Sequence, residues 1–227
     1  MGSDDIFKKK KKAREKRKSE TKKPKPNSYL IVTEGERTEP LYFRGLTDLI
    51  TKTNGGFLQV VPVPFVEIHG EGRSTISLIN KTDEIVNKSK IIFQNVWLVF
   101  DKDDFLDFDE AINIANAKGY NLAWSNQCFE YWLYLHFYYS DAALHRQIWK
   151  EKLDEIFTEL NLGNGKYEKN YEDIYDIVST NGNVITAIQY AKRRMANFNP
   201  TKDKASEYDP GTTVHKLVIE LQNYLNE

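Results

Sequence analysis

Three short apolar runs limit what this chain can fold into: Tyr29–Val32, Val96–Phe100 and Tyr120–Trp124. Each reads as a buried strand, and each is followed by a helical pattern. After the first comes the turn Thr33-Glu34-Gly35, then a helix with Leu41, Tyr42, Gly45, Leu46 and Leu49 on one face, ended by Asn54-Gly55-Gly56. Residues 57–68 alternate around Val60, Val61, Val63 and Phe65, with Pro62 and Pro64 pointing to an edge or a bulge. A helix capped by Ser74 runs to about Lys88, another covers Phe108–Ala117 and stops at Gly119, and a further one begins at Cys128–Phe137. This is β-α-β-α-β-α-β-α, the pattern of an α/β fold with a mostly parallel sheet flanked by helices. Beyond residue 140 the chain reads as helical around 141–160, 171–178, 183–195 and 212–225, with breaks at Asn161–Lys166 and Phe198–Gly211.

Charge separates the N-terminus from the rest. Residues 1–27 hold ten Lys and two Arg against four acids, a net +8, while the remainder carries −9. The Lys8–Lys12 run repels itself, and Pro24 and Pro26 interrupt any helix, so order is expected to begin at Asn27. Such a leader either contacts nucleic-acid phosphates, with a salt-dependent affinity, or is a solvated tail. The divisions expected are a basic tail at 1–27, an α/β core at 28–138 and a helical lobe at 139–227. One cysteine, Cys128, cannot form an internal disulfide. The N-terminus has no apolar signal segment, no run approaches the ~20 apolar residues of a membrane helix, and Ile6 stands where a myristoylation site needs Ser or Thr. A cytoplasmic protein with no membrane partner is the expectation.

In open parallel sheets, sites form beyond the carboxyl ends of the strands. Glu34 and Asp101 both fall there. Asp101-Lys102-Asp103-Asp104 adds two more carboxylates within one turn. Converging carboxylates repel unless a cation intervenes, and oxygen-only ligands suit Mg²⁺ or Mn²⁺. Alternatively, Asp103 and Asp104 only cap the next helix.

These residues also carry a resemblance. Ile31-Val32-Thr33-Glu34-Gly35 and Val99-Phe100-Asp101-Lys102-Asp103 are similar to the two signatures of the Toprim fold, which serves topoisomerases, primases and nucleases. With Thr33–Pro40, Ser125–Leu133 and Pro210–His215, the chain more closely resembles the RloB family from about Ser28 to Leu221. Gln127 stands where that motif is expected to have Pro. The resemblance implies a Toprim-like fold, Mg²⁺-dependent chemistry on phosphodiesters and a setting in restriction and phage abortive infection.

Other polar residues leave two readings open. Glu39 either joins the metal site or satisfies a helix dipole. Glu130, in an otherwise apolar segment, is a metal-site acid or general base, or a helix-start acid. Arg37, Lys102 and Arg73 are candidate phosphate contacts, with Arg37 otherwise in a salt bridge. Gly70–Ser74 either cradles a phosphate or is a plain loop. The four histidines lack metal spacing, and His136 reads as core. His215 falls within a family-like motif but is otherwise a helix-face residue.

The function expected is metal-dependent cleavage of DNA or RNA in bacterial anti-phage defence. Glu34, Asp101, Asp103 and Glu130 are the catalytic candidates, and Glu34, Asp101, Asp103 and Asp104 the ligands. The alternative is a non-catalytic subunit that binds nucleic acid or docks on a partner ATPase. Nucleotidyl transfer is a third, without a nucleotide-binding motif to support it.

Overall fold

The computed structural model describes residues 22–54, 65–72 and 75–226. Strand β1 (Lys23–Thr33) is buried on both faces from Ser28 to Thr33, and its alternation assigns each face a core. Tyr29 and Ile31 enter one cluster, Leu30 and Val32 the other. Strand β3 (Ile91–Asp101) divides in the same way, with Trp97 and Val99 on the first side and Leu98 and Phe100 on the second. Both strands are therefore central, as near-continuous apolar runs require.

The sheet order is β2-β1-β3-β4-β5. Strand β2 (Phe65–Gly70) runs parallel to β1, β1 parallel to β3, and β4 (Asn121–Asn126) parallel to β3. The order brings the ends of β1 and β3 side by side, with Thr33 opposite Val99. Strand β5 (Gly211–Thr212) pairs antiparallel with β4. It straddles the end of the expected break at Phe198–Gly211 and the start of the helix expected from 212, because two residues carry no periodic signal. Order begins earlier than expected too. Lys23, Pro24 and Lys25 pair with Ile91–Phe93, before a bulge leading to Tyr29. No β2 pairing reaches this stretch, and proline is tolerated along such an unpaired edge. The rest of the basic leader, like Arg73, the Ser74 cap and the 55–64 part of the second strand region, lies outside the described residues.

Eight α-helices lie on the two faces among the described residues. Helices α2 (Thr75–Lys88) and α3 (Phe108–Ala117) cover the second core. The first is covered by α1 (Thr38–Asn54), α4 (Phe129–Tyr134), α5 (Arg146–Glu159), α6 (Ile174–Asn181), α7 (Val184–Met195) and α8 (Val214–Asn226). The C-terminal region thus supplies a strand to the sheet and shares one continuous core with β1, β3 and α1. The buried face of α1 is Tyr42, Phe43, Leu46 and Ile50, whereas Leu49 is exposed. Gly45, on the expected face, is packed by α6, since a Cβ there would lie 2.6 Å from the Tyr175 Cβ, while Phe43 turns inward onto Phe129 of α4, with ring centroids 6.2 Å apart.

His136 is buried as expected. Its Nδ1 donates to the Trp132 carbonyl at 3.1 Å, so Nε2 accepts from the Tyr42 hydroxyl, also at 3.1 Å. Burial pushes its pKa down to about 4. The unfolded chain binds a proton near pH 6.5 that the folded chain refuses, so this residue makes stability fall from about pH 6.5 to about 4. The full loss is on the order of 3 kcal/mol. Urea unfolding of the parent and His136→Gln across that window should show a shallower decline in the variant; equal slopes would refute the assignment.

Candidate active site

The acidic site is built from backbone first. Thr33 ends β1, and the Glu34 N–H donates to the Val99 carbonyl at 2.8 Å, which carries the turn across onto β3. The loop after β2 then locks the turn in place. Glu71 N–H donates to Thr33 O at 3.1 Å, and Gly72 N–H to Glu34 O at 2.8 Å. Gly70 has to be glycine for this approach, since a Cβ there would lie 2.9 Å from the Gly35 carbonyl oxygen and the Glu36 Cα. The segment with the phosphate-cradle pattern therefore serves, in its described part, to hold the Glu34 turn.

Five carboxylates line one cavity of about 430 Å³: Glu34, Glu39, Asp101, Asp103 and Glu130. Glu34 Oε2 accepts the Asp101 N–H at 3.1 Å, and Asp101 Oδ2 accepts the Phe129 N–H at 2.8 Å, at the first turn of α4. Glu130 is 3% exposed and belongs to this pocket; Tyr167 donates to its Oε1 at 3.3 Å and Lys169 Nζ lies 3.1 Å from it. Glu39 also lines the pocket, and its carboxylate fills the space a Gly35 side chain would need.

Asp104 is the exception. The Asp103 backbone turns at φ +41°, a conformation Asp tolerates better than most residues, and Asp104 is left 76% exposed at its side chain, outside the pocket lining. Arg146 at the start of α5 reaches both, at 2.9 Å to Asp103 and 2.8 Å to Asp104. Arg37 is exposed, has no ion-pair partner among the described residues and does not line the pocket. Lys102 lies outside the lining as well, toward Asp209, and His215 faces a different cavity. Lys169, Arg146 and Lys150 line the pocket unannounced by any motif. Lys169 is held by its carbonyl, which accepts from the Thr38 hydroxyl at 2.9 Å.

Crowding and burial shape the electrostatics. Burial, with Asp103, Glu39 and Asp107 adding repulsion, raises Glu34 to about 8 despite the N–H bond from Asp101. Glu39 is raised to about 7, by burial and then Glu130. Asp101 is pushed well above the usual carboxylate range, by burial and then by Glu39, Glu34 and Glu130. Burial alone would lower the Lys169 ammonium, but attraction to Glu130 wins and raises it.

Among the described residues, no three His, Cys, Asp or Glu side chains are drawn together tightly enough to hold an ion as they stand. Glu34 and Asp101 each accept a backbone N–H, and Asp103 is bound to Arg146. The carboxylates nevertheless fit a hard cation in kind: they are oxygen donors, buried at Glu130 and half-buried at the other four, and the positive groups beside them are Arg146, Lys150 and Lys169.

Parallel strands flanked by helices, with acids gathered beyond the ends of two adjacent central strands, define an α/β protein of Toprim-like architecture. The model of the RloB-like protein family matches residues 29–221, and the chain belongs to that family. No curated protein and no solved structure matches it. No helix among the described residues is long and apolar enough to cross a membrane.

Proposed function

We propose that the acidic pocket is the centre of a cation-dependent nuclease that cleaves nucleic-acid phosphodiesters, acting in defence against phage. The observation that carries this reading is the convergence of Glu34, Glu39, Asp101, Asp103 and Glu130 on one cavity with Arg146, Lys150 and Lys169 beside them. Glu34, Asp101 and Asp103 would hold Mg²⁺ or Mn²⁺, with Glu39 adjoining. Such an ion supplies a Lewis acid that offsets phosphate charge and lowers the pKa of a bound water. The chain's own cations then grip the phosphodiester. Glu34, ionised once a positive charge lies nearby, accepts the proton of the attacking water. Glu130, within the same lining, orients Lys169.

Incubation of the full chain with single- and double-stranded DNA, RNA and transfer RNA, with Mg²⁺ or Mn²⁺ and with chelator, tests this. Cleavage that chelator stops is expected; no cleavage of any of them, or cleavage indifferent to chelator, overturns it. A second reading is favoured by the internal bonds that engage Asp103, Glu34 and Asp101. In it the protein is a non-catalytic subunit that binds nucleic acid or docks on a partner ATPase, and partner capture would then persist in chelator.

The basic leader adds affinity in either case. Deleting residues 1–21, which carry most of the +8 charge, should weaken nucleic-acid binding and flatten its dependence on salt. An unchanged slope of log affinity against log salt would remove the leader from the interface.

A further inference from the structure

Arg146 stands where helix chemistry gives no reason for it. It opens α5, and a cation is the wrong charge for the positive end of a helix; no acid in that first turn offsets it. What it meets is the acidic turn after β3. Its Nη1 lies 2.9 Å from Asp103 Oδ1 and its Nη2 2.8 Å from Asp104 Oδ2, so one planar guanidinium bridges two neighbouring carboxylates. The backbone on both sides of this bridge is fixed. The Asp103 N–H donates to the Gln127 carbonyl at 3.1 Å, and the Lys102 N–H to the Ser125 carbonyl at 2.9 Å. Helix α5 is anchored by Trp149, Leu153 and Phe157, all fully buried. The guanidinium is the movable part, on a side chain that is 40% exposed.

The three carboxylates proposed to hold a cation are bound differently. Glu34 and Asp101 each accept a backbone N–H through one oxygen, a bond to a neutral donor that leaves the second oxygen for another partner. Asp103 is bound to a full positive charge. A divalent ion on its other oxygen would lie beside the guanidinium, where like charges repel. Arg146 and a cation therefore compete for Asp103. A phosphodiester changes that balance, because it offers the guanidinium two oxygens that match its fork. Lys150, one turn further along α5, lines the same pocket and is exposed, with no ion-pair partner among the described residues. It gives a phosphate a first point of attraction that disturbs no internal bond.

We propose that Arg146 is a latch that couples the two ligands of this site. Without nucleic acid it occupies Asp103 and keeps a cation from binding tightly. An incoming phosphate draws the guanidinium onto itself, and Asp103 is released to complete the ligand set with Glu34 and Asp101. No covalent bond changes; the Arg146–Asp103 pair is exchanged for an Arg146–phosphate pair and an Asp103–cation contact. Opening the latch is a cost that either ligand bears alone and that the two share when bound together, so each tightens the other. The proposal rests on the cation-dependent reading above and adds its regulation: Asp103 joins the ligand set when a phosphodiester is present.

The test measures binding and needs no cleavage. Mn²⁺ is titrated into the full chain by calorimetry, for the parent, Arg146→Gln and Lys150→Gln. Lys150→Gln removes the same charge from the same pocket without breaking an ion pair to Asp103. Arg146→Gln is expected to bind Mn²⁺ roughly three- to tenfold more tightly than the parent, and more tightly than Lys150→Gln. Its melting temperature in chelator should stay close to the parent's, since the loss of a half-exposed ion pair is offset by removing a cation from a helix N-terminus. Affinity for short single-stranded DNA and RNA with phosphorothioate backbones, which resist cleavage, is then compared with and without Mn²⁺. The parent should gain several-fold more from Mn²⁺ than Arg146→Gln does. The latch is overturned if Arg146→Gln binds Mn²⁺ no better than the parent or than Lys150→Gln. It is equally overturned if no oligonucleotide binds, or if the gain from Mn²⁺ is the same with and without Arg146. Tight Mn²⁺ binding in any of these cases leaves the cation site standing. If neither parent nor variants bind Mn²⁺ at millimolar concentration, with or without oligonucleotide, the cation-dependent reading itself falls and takes the latch with it.

Discussion

Asp101→Asn should give a folded protein that has lost cleavage and no longer responds to Mg²⁺, yet melts at least as high as the parent in chelator. The carboxylate sits at the end of β3 in the repulsive field of Glu39, Glu34 and Glu130, and burial already disfavours its charge. An amide oxygen can still accept the Phe129 N–H that Asp101 now accepts at 2.8 Å, so the start of α4 keeps its anchor. Removing the charge relieves repulsion without removing the bond, and a gain of about 0.5–2 kcal/mol is reasonable for such a change. Activity should fall roughly 100-fold or more, as loss of a ligand must cost at least what loss of a supporting group does. The parent should be stabilised by added Mg²⁺ and the variant should not. Thermal melts with and without Mg²⁺, beside the cleavage assay, separate the outcomes. Parent-level cleavage by the variant would remove Asp101 from the reaction. A large drop in melting temperature would make its carboxylate structural.

Trp149→Ala is expected to destabilise the entire described fold by about 3–5 kcal/mol, in a single transition. Trp149 is fully buried on α5, with ring centroids 4.8 Å from Tyr131 and 5.2 Å from Tyr134. It thus locks α5 onto α4, the helix whose first turn carries Glu130 and the Phe129 N–H. Arg146 and Lys150, on the same helix as Trp149, face the acidic pocket. The variant should lose the Arg146 hold on Asp103 along with stability. Trp149→Phe should cost less, because the indole Nε1 has no partner to lose. Urea unfolding followed by tryptophan emission and by circular dichroism would test this. An early, separate transition of the C-terminal helices, leaving the sheet folded, would contradict a shared core.

That shared core was not readable from residue order alone. The alternation of apolar runs and helical stretches is a local property, so the sequence is sufficient for an α/β sheet with parallel central strands. It is also sufficient to put Glu34 and Asp101 at strand ends, because a strand ends where its apolar run does. Glu130 was legible for a related reason: a carboxylate within Phe129–Leu133 has to find a partner.

What the sequence could not specify depends on contacts between distant segments. Strand β5 is two residues long and exists only because β4 offers it hydrogen-bonding groups. Lys169 reaches Glu130 from a loop with no pattern, placed by a hydroxyl on α1. Of two adjacent acids, a left-handed turn at Asp103 sent Asp104 to solvent, a choice that depends on backbone torsion rather than residue type. His215 lies in a motif that reads like part of one site, but the tertiary fold carried it to another cavity beside Trp97, a residue far from it in sequence. Local hydrophobic pattern determined the elements and the strand-end acids, while the partners of those acids followed from packing, since packing alone brings residues far apart in the chain within reach of one another.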